Sequence, residues 1–156
     1  RWDALAAERG VEKIKTIGDA YMAAAGVPSP RPGHVEAIAS LALAMGPEVE
    51  RCATETGLPL AIRVGIDTGP VVAGVIGQSK FIYDLWGDTV NTASRMESHA
   101  PVGAIQVTER VRERLDDAFT LRPRGSIEVK GKAPMTAYLL LGSRSLPRAT
   151  APEASR

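Results

Sequence analysis

The chain has 156 residues and almost balanced charge, 19 basic against 18 acidic. That length suits one domain with a real core, and the charge balance, without any basic run, gives no surface for nucleic acid or other polyanions. No apolar run approaches the roughly 20 residues that span a bilayer, and no signal peptide is visible. The single cysteine, Cys52, excludes an internal disulfide, fits a reducing compartment and falls at an apolar helix position, where it reads as a small core residue. His34 and His99 lack metal-ligand spacing and read as helix-end or loop residues.

In chain order, residues 1–9 read as the end of a helix, with Trp2, Leu5 and Ala6 on one side and Gly10 as the stop. Residues 11–17 and 20–26 read as two strands joined by a turn at Gly18 and Asp19. The proline-rich residues 28–33 form a loop. Residues 34–56 are helical, with Val35, Ile38, Ala42, Met45, Val49 and Cys52 as the inward stripe. Gly46 and Pro47 predict a kink there, or two helices.

Leu60, Ile62, Val64 and Ile66 alternate with Ala61, Arg63 and Gly65, the pattern of a strand. Residues 71–76 are almost wholly apolar, which predicts a returning strand buried on both faces. Beyond residue 97, strands are expected at 104–107, 119–122, 126–129 and 136–141. A helix capped by Thr108 runs to about Asp116, with Val111 and Leu115 inward. The mixture of hairpins and crossovers predicts an α+β domain on an antiparallel or mixed sheet.

The chain is organised around residues 81–97, FIYDLWGDTVNTASRME. A short apolar strand is broken at Gly87 and Asp88, and a helix follows with Asp88 or Thr89 as N-cap. Val90, Ala93 and Glu97 share one side of that helix. Asn91 and Arg95, four apart, share another, and Asp84 stands at the preceding strand end. A carboxylate, an amide and a guanidinium thus gather at one strand–helix junction, a favoured place for a small ligand. On spacing alone, a solvated ion-paired face accounts for them equally well.

The strings YDLWGDTVNTASRMES, VEKIKTIGDAYM, RVGIDTGPVVAGVIG, IQVTERV and IEVKGK resemble, in that family's motifs, the catalytic domains of class III nucleotidyl cyclases, particularly bacterial, mycobacterial-type adenylyl cyclases that work as homodimers. The resemblance implies the class III cyclase fold, a ferredoxin-like sheet with flanking helices. It assigns residues 1–142 to the catalytic domain; residues 143–156, richer in prolines and loop-formers than in apolar anchors, read as a disordered tail. It also expects a first strand and helix ahead of Arg1, carrying one of two metal-binding aspartates. The implied reaction converts ATP to 3′,5′-cyclic AMP and pyrophosphate with two Mg²⁺ or Mn²⁺ ions, in the cytoplasm.

Residue by residue, the resemblance makes Asp19 the second metal aspartate; alone, it is a plain turn residue. Lys15 and Asp84 match the pair that reads adenine, Asn91 the residue that orients the ribose, and Arg95 the residue that stabilises charge on the α-phosphate. Lys130 matches the lysine that meets the terminal phosphates, with Lys132 as its competitor two residues on. In the family the metal and nucleotide residues of one site come from different subunits, so a chain carrying both sets implies a symmetric homodimer with two shared sites. The competing expectations are a guanylyl cyclase, disfavoured by Lys15 and Asp84, and an inactive cyclase-like module that dimerises or binds nucleotide.

Overall fold

The structure is a computed structural model and describes residues 1–115 and 117–144. Helix α1 (Trp2–Glu8) leads into the hairpin of β1 (Glu12–Ile17) and β2 (Ala20–Ala24), and α2 (His34–Thr56) follows. Next come β3 (Val64–Ile66), the hairpin β4 (Val72–Ile76) and β5 (Ile82–Trp86), and α3 (Asp88–Ser98). The chain continues through β6 (Ile105–Thr108), α4 (Glu109–Arg114), β7 (Phe119–Ile127) and β8 (Met135–Ser143). A mixed sheet in the order β3-β6-β8-β7 forms the centre, with β3 parallel to β6 and the other pairs antiparallel. The expected α+β class with a mixed sheet is therefore the observed one.

Alternation along the strands decides which helix covers which face. Val64 and Ile66 on β3 and Ile105 and Val107 on β6 turn toward α2 and α4, where they pack with Val35, Ala39, Ala42, Val111 and Leu115. Gly65 points to the other face, where α3 lies so close that a Cβ would collide with the Ala93 carbonyl and the Glu97 amide. Gln106, also on that face and fully buried, donates from Nε2 to the Met96 carbonyl at 3.0 Å. Arg124 donates to the Gln106 side chain and, at 2.5 Å, to the His99 carbonyl at the end of α3. Met96 itself packs with Ile127, Val129 and Ala137. A second apolar group joins α1 to α2 through Ala6, Val11, Leu41 and Met45.

Several local expectations change in three dimensions. The strand expected over residues 60–66 is regular only at Val64–Ile66, because β6, the neighbour it pairs with, begins at Ile105. Helix α2 is one helix through Pro47 rather than two; Pro47 is exposed. The strands expected at 119–122 and 126–129 are one, β7, whose register shifts on either side of Pro123 let an edge strand carry a proline. Strand β4 is not buried on both faces: Val72, Val75 and Ile76 are exposed, as are Phe81 and Ile82 on its partner side. The β4–β5 hairpin is a separate two-stranded ribbon, buried at Asp84 and Leu85 of β5 but exposed along β4.

Strand β8 reaches Ser143, so the stretch expected to be a tail begins inside the sheet; Arg144 still donates from its backbone to the Ala118 carbonyl at 2.6 Å. Residues 145–156 of that stretch lie outside the described residues. Cys52 is half-buried on α2. Among the described residues no helix is long and apolar enough to cross a membrane.

Candidate active site

Lys15 and Asp84, 69 positions apart in sequence, meet in space. Lys15 Nζ donates to Asp84 Oδ2 at 2.8 Å. Lys15 lies where the β1–β2 register slips between Lys13 and Lys15, a bulge that redirects side chains. Asp84 is not at the strand end as expected: it stands mid-strand in β5, only 8% exposed, paired opposite Gly74 of β4. Its other oxygen, Oδ1, accepts from the Leu85 backbone N–H at 2.8 Å. The Lys15 ammonium and then the Leu85 N–H hold the Asp84 carboxyl below its ordinary pKa. The Asp84 carboxylate is therefore ionised at neutral pH, and the pair offers a lysine donor beside an anionic acceptor.

Helix α3 begins after Gly87, and neither Asp88 nor Thr89 caps it as expected. Both side chains are engaged elsewhere. The Thr89 hydroxyl donates to the Pro70 carbonyl at 2.8 Å, tying the first turn to the loop after β3, while Asp88 forms an ion pair with Lys132. Asn91 and Arg95 lie one turn apart on the exposed side of α3. Among the described residues neither side chain has a hydrogen-bond or ion-pair partner, so the solvated ion-paired face that spacing allowed does not form.

The two competing lysines separate clearly. Lys132 is fastened to α3, donating to Thr92 Oγ1 at 3.2 Å as well as pairing with Asp88. Lys130 is exposed in the turn after β7, and no described group partners it. Asp19 is exposed in the turn between β1 and β2. Among the described residues no three His, Cys, Asp or Glu side chains converge on a metal position. A lone exposed carboxylate on a short turn is still a hard oxygen donor, and it fits one ligand position of a Mg²⁺ or Mn²⁺ ion that keeps water or phosphate oxygens elsewhere.

Sequence reasoning missed a second polar cluster. Asp67, just after β3, has a fully buried side chain. Its Oδ1 accepts from Thr108 Oγ1 at 2.7 Å and from Arg110 Nε at 2.7 Å, and its Oδ2 accepts from Arg110 Nη2. The only sequence signal was an acidic residue directly following an apolar strand; its partner lies 43 residues on.

Comparison with known proteins meets this geometry. The family model for the adenylate and guanylate cyclase catalytic domain matches residues 1–142. An adenylate cyclase of Mycobacterium tuberculosis is 52% identical over 143 residues, covering 92% of this chain and 32% of its own length. The guanylate cyclase domain of RhGC from Catenaria anguillulae, solved in complex with GTP, superposes with a TM-score of 0.87 at 38% identity, covering 92% of this chain and 79% of that one. The adenylyl cyclase CyaB from P. aeruginosa superposes with a TM-score of 0.86 at 30% identity, covering 92% and 78%. The chain belongs to the class III nucleotidyl cyclase family, and its architecture is that of the family's catalytic domain. It spans about a third of the length of the mycobacterial relative.

Proposed function

We propose that this domain is an adenylyl cyclase that makes 3′,5′-cyclic AMP and pyrophosphate from ATP. The observation that carries the reading is the Lys15/Asp84 pair at 2.8 Å. The adenine edge offers an acceptor at N1 beside a donor at its amino group. A lysine donor held against a carboxylate acceptor complements that order, whereas guanine reverses it. A half-buried site of this kind discriminates strongly, because the wrong base leaves charged groups unpaired.

The remaining residues follow the same base. Asn91 holds the ribose so that its 3′-oxygen faces the α-phosphorus. Arg95 meets the charge that builds on the α-phosphate oxygens as the new 3′-O–P bond forms and the bond to the β-phosphate oxygen breaks. Lys130 neutralises the departing pyrophosphate. Asp19 would hold a divalent ion, whose bound chemistry is to acidify the 3′-hydroxyl and offset phosphate charge.

The domain works as a homodimer with two shared sites. The β4–β5 ribbon supports this, since Val72, Ile76, Ile82 and Trp86 share one face of it by register and alternation and are exposed, an apolar face that a second copy can bury. Steady-state kinetics with ATP and GTP, each with Mg²⁺ or Mn²⁺, test the reading: a higher kcat/KM for ATP is expected, and a preference for GTP overturns it. For the shared site, an Asp19→Ala chain and an Asn91→Ala/Arg95→Ala chain are each nearly inactive alone. Mixed, they regain up to about half of wild-type activity per heterodimer, because one of the two sites is then intact. Heterodimers that form and stay inactive rule out the shared site.

A further inference from the structure

The Asp67/Arg110 pair serves no base, ribose or phosphate directly, yet it is built more tightly than any group in the proposed site. A carboxylate whose side chain is fully buried accepts both nitrogens of a guanidinium fork together with the Thr108 hydroxyl. Forked pairs of this kind impose direction as well as charge, and a buried carboxylate such as Asp67 is tolerable only with such satisfaction of its oxygens.

The pair also reaches α3 through physical contact. Gly69 lies two residues after Asp67 with φ +154°, in the region that favours glycine. A Cβ there would stand 2.7 Å from Thr89 Oγ1 and 2.8 Å from Arg110 Nη1. Arg110 and Thr89 therefore close on the same loop residue. Thr89 then donates to the Pro70 carbonyl at 2.8 Å. Thr89 sits in the first turn of α3, two residues before Asn91 and six before Arg95. Asp67 first, and the more distant Asp88 at the start of α3, hold the Arg110 guanidinium above its ordinary pKa, consistent with its charge standing near that helix end.

We propose that Asp67 and Arg110 are positioning residues for the reaction: through residues 68–70 and Thr89 they hold the first turn of α3, and with it Asn91 and Arg95, in catalytic alignment. The assignment rests on the cyclase reading above. Both residues act through others and touch neither substrate nor metal.

The test uses the whole chain in its active assembly. Asp67→Asn keeps the side-chain shape and can retain the Thr108 bond but loses the charge that grips the fork. Arg110→Lys keeps a charge but loses the fork. Each is expected to stay folded and to lower kcat by about tenfold, the scale of a small misalignment of catalytic groups, with KM within about twofold. Hydrogen exchange at the Asn91 and Thr92 amides should quicken in the same variants. Thr89→Val cuts the link between loop and helix, so Asp67→Asn in that background should lower kcat less than twofold further; with Thr89→Ser, which keeps the hydroxyl, the tenfold loss should persist.

A pair that merely stabilises the fold would shift the denaturation midpoint and leave the kcat of the folded enzyme alone. Unchanged kcat in a folded Asp67→Asn or Arg110→Lys chain overturns the proposal. So does a loss of equal size in the Thr89→Val background. If Asp67→Asn does not fold, Arg110→Lys, altered at a half-exposed side chain, decides. A wild-type chain that makes no cyclic nucleotide refutes the cyclase reading instead, and the exchange rates of the α3 amides then decide the positioning claim by themselves.

Discussion

The two ends of the proposed site are prepared to different degrees. At the base end, Lys15 and Asp84 are joined at 2.8 Å, and both Asp84 oxygens are occupied before any nucleotide arrives. At the phosphate end, Asn91, Arg95 and Lys130 are exposed and without partners among the described residues. The difference matches what each end has to do. Base recognition rewards a rigid, low-dielectric arrangement in which a mismatch leaves charges unpaired. Phosphate recognition has to absorb a highly charged group whose charge shifts during reaction, and cations kept hydrated until then are not trapped in internal ion pairs.

The largest expected effect tests the prepared end. Replacing Lys15 with Glu and Asp84 with Cys removes the donor–acceptor order that suits adenine. The ratio of kcat/KM for ATP to that for GTP should fall by several orders of magnitude, up to about 10⁴. Equal loss with both nucleotides would show that the pair does not read the base. Next in size is Arg95→Ala, which should lower kcat by roughly 10²–10³, as for loss of one group that stabilises transition-state charge, with little change in KM. A variant with normal kcat and a raised KM would move Arg95 from catalysis to simple binding.

Smaller effects separate the two lysines. Lys130→Ala should raise KM for the triphosphate and leave the urea midpoint alone. Lys132→Ala should do the reverse, lowering stability by no more than about 1 kcal/mol, since its pair with Asp88 is solvent-exposed. Matching kinetic losses in both would erase the distinction drawn between them.

The smallest effect is in pH. Asp84's folded pKa is depressed, so the pair contributes stability above the carboxyl's unfolded pKa of about 4 and loses it as pH falls through the lower folded value. Urea midpoints measured from neutral pH down through this range should converge between wild type and Asp84→Asn on the acid side. Curves that stay parallel would show that the carboxylate is not held ionised by its partners.

Much of this was legible along the chain. The strand, break and helix of residues 81–97 follow from hydrophobic period and a glycine break. The α2 stripe and the β1–β2 hairpin follow from local pattern, and the ordered motifs identify the family. All of these depend on neighbours within a few residues. Even so, the sequence alone left Asp84 at a strand end, Asp88 or Thr89 as the helix cap, and residues 71–76 in a buried strand.

Only the tertiary structure decided the rest, because the deciding partners are distant in sequence. Lys132 is fastened to α3 by groups 40 or more residues away, while Lys130 has no partner among the described residues. Thr89 does not cap α3, because the helix begins after Gly87 and places Thr89 inside its first turn, where its hydroxyl donates to the Pro70 carbonyl 19 residues earlier. Strand β4 is apolar yet exposed, because burial depends on what lies across from a strand, and its hydropathy is the same with or without a partner. Asp67 looks like an ordinary strand-end acid until the fold brings Arg110 and Thr108 around it. Local propensity sets the elements; long-range hydrogen bonds and packing choose which of several plausible side chains are bound internally and which remain free for a ligand.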